Sequence, residues 1–224
     1  SSLYPHMLPS AEKFSSRMRK MGVGDGKKVI LYDTLGLYSA ARAWWMFRVF
    51  GKDDVAILDG GFPKWKAEGR SIEDGEPTAR QERHFTARYR GMMVRDRADV
   101  LRAIRTGEEQ LADARSHGRF AGIEPEPRTG VRSGHVPKAR SVPFGKLVNP
   151  DGTMKSVPEI EAAFSEAGIE PSKPIIAYCG SGVTAAVLAL GLSVAGHEEH
   201  AVYDGSWAEW GSVDELPIET DGKA

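Results

Sequence analysis

The sequence predicts an α/β protein of two similar units, each a parallel sheet flanked by helices, with the first unit incomplete. Three observations predict it. Short apolar runs alternate with helix-patterned stretches, and the order of these elements recurs later in the chain. In addition, one copy of a glycine-bounded turn carries the only cysteine in 224 residues, where the other copy carries an aspartate.

In chain order, Leu3-Tyr4-Pro5-His6-Met7-Leu8-Pro9 is a proline-punctuated loop. Residues 10–22 predict a helix, with Ser10 as N-cap, Phe14, Met18 and Met21 on one face, and Gly22 as terminator. Lys28 to Asp33 is a short apolar strand, Thr34 to Tyr38 a loop, and Ser39 to Phe50 a strongly apolar helix ended by Gly51. A second strand, Val55 to Leu58, runs into Asp59-Gly60-Gly61-Phe62-Pro63-Lys64-Trp65. Ser71 to Gly91, charged and containing Gly75 and Pro77, predicts a linker. Next come a helix over 99–106, a strand over 110–115, a long Gly/Pro/Arg-rich loop over 116–137 and a short strand over 139–143. Residues 158–167 predict another helix.

Ile175 to Tyr178 then reads as a buried strand, Cys179 to Gly182 as a tight turn, and Thr184 with the alanine-rich run behind it as the opening of a helix. Such a turn gathers unpaired backbone N–H groups and favours negative charge. The thiolate is the nucleophilic form of cysteine, so Cys179 is a candidate nucleophile rather than a packing residue.

The repeat is specific. Residues 29–33 align with 175–179, Gly36-Leu37 with Gly182-Val183, Gly51 with Gly196, Asp59-Gly60 with Asp204-Gly205, and Trp65 with Trp210, at an offset of about 145 residues. Asp33 stands where Cys179 stands, so only the second unit can do thiol chemistry. These readings divide the chain into a partial, non-catalytic first unit over 1–70, a linker over 71–91 and a catalytic unit over 92–224. Residues 1–26 align with about 147–172, so a counterpart of His84 to Lys146, roughly 60 residues, is expected before Ser1. A parallel sheet deprived of those strands exposes an apolar edge.

Composition narrows the function classes. A hydrophobic fraction of 41% supports a sizeable core, and a formal net charge of −1 gives no general case for nucleic-acid or acidic-membrane binding. One cysteine forms no intramolecular disulfide, which favours a reducing compartment, taken as the cytoplasm, and no Cys/His spacing suggests a metal. The apolar run from Val183 to Gly196 is too short to span a bilayer. No cofactor is expected.

The residues resemble a known family, the tandem-domain rhodanese sulfurtransferases, and within it the branch that uses 3-mercaptopyruvate. The resemblance covers essentially the whole chain. It is carried by Cys179-Gly180-Ser181-Gly182-Val183-Thr184, Gly118-Arg119-Phe120 with Glu124-Pro125-Glu126-Pro127-Arg128, Ser133-Gly134-His135-Val136-Pro137, Gly36-Leu37-Tyr38-Ser39, Asp204-Gly205-Ser206-Trp207 and Pro5-His6-Met7-Leu8-Pro9. It implies two rhodanese-like domains and a persulfide formed on Cys179. Its further implications are a proton relay through Ser181 and His6, a persulfide loop including Gly180, Gly182, Val183 and Thr184, and a donor held by Arg119, Arg128 and Tyr38. It places the acid that would orient the histidine shortly before His6, off the chain. A thiol such as thioredoxin, or cyanide in the assay tube, would take the sulfur.

Arginine suits a two-oxygen acid because its guanidinium fork makes paired, charge-assisted bonds to carboxylates. Gly180 and Ser181 add no charge to the turn, which suits a monoanionic thiol acid better than thiosulfate. His135 reads as a turn residue that satisfies backbone, and His117 as exposed. Trp44, Trp45, Met46, Phe47, Trp65, Trp207 and Trp210 read as core or interface. A cysteine phosphatase would need an arginine at the end of the loop, where Thr184 and Ala185 stand. Two alternatives remain: a thiosulfate sulfurtransferase, and a non-catalytic rhodanese-like binding module, since the first unit keeps the pattern without the cysteine.

Overall fold

A computed structural model of the chain describes residues 3–76, 78 and 80–221; Ser1, Ser2 and the linker residue Pro77 lie outside the described residues. The elements run α1 (Ala11–Lys20), β1 (Val29–Leu31), α2 (Ser39–Val49), β2 (Val55–Ile57), α3 (Gly61–Ala67), β3 (Val94–Arg95), α4 (Arg97–Thr106), β4 (Gln110–Asp113), α5 (His117–Phe120), β5 (Arg140–Ser141), α6 (Val157–Glu166), β6 (Ile175–Tyr178), α7 (Ala185–Val194), β7 (His200–Tyr203) and α8 (Ser206–Trp210).

Local chemistry sets most of these boundaries. Ser10 caps α1 by accepting from the Lys13 amide, Asp96 and Asp99 form a reciprocal capping box at the start of α4, and Ser156 and Glu159 do the same for α6. Met21 is not on the buried face of α1. It is the C-cap residue and 53% exposed, because the helix has already ended when the chain turns at Gly22. The stretch after β2 forms the short helix α3, entered through the left-handed Gly60.

Both sheets are parallel. β1 pairs with β2, and a five-stranded sheet has the order β3-β7-β6-β4-β5. β6 and β7 are buried at every position, which explains the continuous apolar character of β6 and of β7 after His200. Ile30 of the two-stranded sheet is exposed, as are Tyr32 and Leu35 in the loop after β1.

The two sheets share a core. α2 of the first unit packs on α7 of the second, and one buried cluster runs from Phe14, Trp44 and Phe47 through to Ala185, Leu188 and Leu192. Each such large side chain contributes about 1.5–3 kcal/mol on burial. Close approach is built in at Gly191, where a Cβ would stand 2.7 Å from the Leu147 side chain. Between the units, Phe85 is buried beside Phe14 and Phe47, and the Arg88 and Arg90 amides donate to the Phe50 and Val49 carbonyls. The later part of that connection is therefore docked on α1 and α2.

The strand order reverses between β4 and β6. In open parallel sheets the crevice at the carboxyl ends of strands at such a reversal is where ligands bind. The chain leaving β6 carries Cys179, and the chain leaving β4 carries Arg115 and α5.

Candidate active site

Cys179 follows β6 directly and is 2% exposed. Its amide donates to the Ser206 hydroxyl (3.2 Å), and its carbonyl and that of Gly180 accept from the Trp207 and Ala208 amides at 2.8 and 2.9 Å. The turn is thus pinned to α8 from behind. The amides from Gly180 to Thr184 donate to no acceptor among the described residues, so they form a nest open to an anion. Gly182 takes a left-handed conformation (φ 77°), and a Cβ there would stand 2.9 Å from the Arg42 guanidinium. Thr184 is the N-cap of α7, with no side-chain cap bond.

A cavity of about 630 Å³ opens over this turn, lined by Cys179, Gly180, Ser181, Val183 and Thr184 from the second unit and by His6, Met7, Tyr38, Ser39, Arg42 and Met46 from the first. Arg119, Pro127 and Arg128 complete it. The structure therefore brings together every site residue expected from the sequence except Gly182, which supports the turn from below. Met46, read as core or interface, packs against the buried cluster and also lines the cavity.

His6 Nδ1 lies 2.8 Å from Ser181 Oγ. Among the described residues no carboxylate contacts the His6 ring. His6 itself is held at φ 59°, a conformation that non-glycine residues rarely adopt. Tyr38 reaches the cavity from the end of the loop after β1, where its amide and that of Ala40 donate to Asp33, and its ring stands edge-on to Phe144 at 5.5 Å. Asp33, the counterpart of Cys179, thus serves as a loop anchor.

The arginines differ from one another. Arg119 donates through Nε and Nη2 to Glu126 at 3.1 and 2.6 Å, and it lies over Gly180, where a Cβ would stand 3.0 Å from it. Glu126 also accepts from Arg115, which is buried against Asp113 and stacked on Trp207. Arg128 has no hydrogen-bond partner among the described residues, so its donors are available.

Sequence reading missed Arg42, Glu126 and Asp204 as members of this assembly. The signal for Arg42 is its place in the first turns of a helix whose other residues, Arg48 near the end excepted, are uncharged. His135 is buried, donating to or accepting nothing from the cavity; its Nδ1 lies 2.8 Å from the Phe120 carbonyl and its ring stacks on Phe120. Among the described residues no cluster of three His, Cys, Asp or Glu side chains is arranged for a metal ion, and no helix is long and apolar enough to cross a membrane.

A parallel α/β sheet with a lone cysteine in a nest of amides at its reversal point defines a class, and the chain belongs to it. It is a member of the rhodanese-like domain family, whose model matches residues 2–68 and 96–212. Among its relatives are the 3-mercaptopyruvate sulfurtransferases of Escherichia coli, 42% identical over 98% of this chain and 77% of the relative, and of Rattus norvegicus, 41% identical over 94% and 71%. A thiosulfate/3-mercaptopyruvate sulfurtransferase of Arabidopsis thaliana is 38% identical over 96% of the chain; the chain spans 62% of that relative's length. The fold matches the crystal structure of SseA from Escherichia coli, described as a 3-mercaptopyruvate sulfotransferase, with a TM-score of 0.83 and 41% identity over 92% of this chain and 76% of that one. It also matches Tum1 of Saccharomyces cerevisiae with a TM-score of 0.88 and 29% identity over 99% and 79%.

Proposed function

We propose that this chain is a sulfurtransferase that takes sulfur from 3-mercaptopyruvate onto Cys179 and passes it to a thiol. The observation that carries the reading is the placing of one cysteine, an open nest of amides and an unpaired arginine in a single cavity. The thiolate of Cys179 attacks the donor sulfur, the carbon–sulfur bond breaks, and its electron pair leaves as the enolate of pyruvate, which is protonated. Ser181 and His6 are the proton-handling pair. Arg128 and Arg119, with Tyr38, hold the carboxylate and carbonyl of the donor. The turn amides stabilise charge on the terminal sulfur of the persulfide. A second thiol, such as that of thioredoxin, or cyanide in vitro, attacks that sulfur and regenerates Cys179.

Charge favours the thiol acid over thiosulfate. Glu126 neutralises Arg119, which leaves Arg128 as the uncompensated cation beside an uncharged turn. That field suits a monoanion. Incubation with 3-mercaptopyruvate is expected to add the mass of one sulfur atom to Cys179, and kcat/KM is expected to be higher for 3-mercaptopyruvate than for thiosulfate. No added sulfur overturns the enzyme reading in favour of a binding module; equal or better use of thiosulfate overturns the choice of donor. A reducing compartment, the cytoplasm, suits a single catalytic thiol, although the Arabidopsis relative bears the word mitochondrial in its name.

Arg128→Ala is expected to raise KM for 3-mercaptopyruvate about 10-fold or more, the scale of a lost charge-assisted hydrogen bond. Steady-state kinetics check this, and an unchanged KM removes Arg128 from the site.

A further inference from the structure

Arg42 belongs to α2 of the first unit, yet its guanidinium is committed to the turn of the second. It is 6% exposed. Nη1 donates to the Gly182 carbonyl at 3.1 Å, while Nη2 donates to the His6 carbonyl and to Asp204 Oδ1, both at 2.6 Å. The group stacks on Trp45, 4.4 Å from the ring centroid. The other oxygen of Asp204 accepts from the Leu8 amide at 2.8 Å. One buried ion pair therefore grips the backbone at residues 6 and 8 on one side and at residue 182 on the other, and the contact between His6 and Ser181 lies between those grips.

The grip has a reason to exist. His6 sits at φ 59°, and a residue in a sparsely populated conformation stays there only when its surroundings over-determine it. Among the described residues Arg42 is the partner of the His6 carbonyl, and Asp204 is the partner of the Leu8 amide. Three acceptors in different directions suit the planar guanidinium fork, whereas a lysine ammonium on a flexible stem satisfies them poorly.

We propose that Arg42, paired with Asp204, is a positioning residue for the His6–Ser181 pair, setting the distance between the two side chains from the first unit. The inference deepens the sulfur-transfer reading and rests on it for its kinetic consequence. Misplacement of a reacting group by about 1 Å can cost about 100-fold in rate. Arg42→Lys is therefore expected to lower kcat for 3-mercaptopyruvate by roughly 10- to 100-fold, with KM changed by less than about 3-fold because Arg119 and Arg128 are untouched.

The decisive measurement is a double-mutant cycle with Ser181→Ala. If Arg42 acts through the pair, adding Ser181→Ala to Arg42→Lys lowers kcat little further; if its role is structural alone, the two losses multiply. Multiplying losses, or an unchanged kcat in a folded Arg42→Lys protein, overturn the proposal. Asp204→Asn, which keeps the shape of the side chain, is expected to act in the same direction, and it serves if Arg42→Lys does not fold. Absence of sulfur uptake by the unsubstituted protein would sink the functional reading but not this one. The 15N chemical shift of His6 Nδ1 still reports the Ser181 contact, and its indifference to Arg42→Lys would overturn the positioning role.

Discussion

Cys179→Ser is expected to abolish sulfur uptake and to lower pyruvate release from 3-mercaptopyruvate by about 10,000-fold or more, the scale on which removing a covalent nucleophile acts. A serine oxygen forms no persulfide, and no second thiol exists in the chain to replace it. The substitution changes one atom, and the contacts that hold the turn are made by backbone: the Cys179 amide to Ser206, and the Cys179 and Gly180 carbonyls to α8. Folding is therefore expected to survive. Pyruvate release, intact mass and thermal unfolding, measured on the same sample, separate the two effects. Appreciable turnover in a folded Cys179→Ser protein would show that the nucleophile lies elsewhere.

Asp113→Ala is expected to cost about 3–5 kcal/mol of stability, because it leaves a buried charge without its main partner. Arg115 donates to Asp113 through Nε at 3.1 and 3.0 Å and through Nη2 at 2.6 Å; its other side-chain hydrogen bonds go to Glu126 at 2.7 Å and the Gly134 carbonyl at 2.7 Å. Burial opposes the charge on Arg115 and the Asp113 carboxylate beside it holds its pKa above the ordinary arginine value; with the acid removed that support is lost, and arginine is intrinsically too basic to escape by neutralisation. The loss also reaches the cavity, since Glu126 would be drawn wholly to Arg115 and away from Arg119. Urea unfolding measures the first effect and KM the second. A loss of less than about 1 kcal/mol, the range of an exposed ion pair, would show that the network is not the buried one described.

The sequence made the regular architecture legible because strands and helices are written in local periodicity. β6, the cysteine turn and α7 were readable for that reason, and the repeat with β1 and α2 showed that the scaffold tolerates Asp33 where Cys179 stands. Side-chain partnerships between remote residues were not readable. Arg42 and Asp204 are separated by 162 positions, and no local pattern connects them. The basic stretch from Arg115 to Arg140 likewise held four roles in one composition: Arg115 is a buried support, Arg119 is paired with Glu126, Arg132 donates to a run of carbonyls around 210–216, and Arg128 is free among the described residues. Only folding back over α8 and the turn distinguishes them. Met21 falls off the buried face of α1 for a smaller reason, the blurring of helix ends by capping geometry.

β7 has a consequence for how the protein is made. Among the described residues it is the last strand in sequence, but it lies between β3 and β6 in the sheet. During synthesis β3 and β6 therefore wait as unpaired edges until residues 200–203 emerge, and Asp204 follows at once. The same event that inserts the strand brings Asp204 to Arg42 and places α8 behind the cysteine turn. A nascent chain stopped before β7 holds its thiol in an unfinished loop, so reactivity arrives only when β7 joins the sheet.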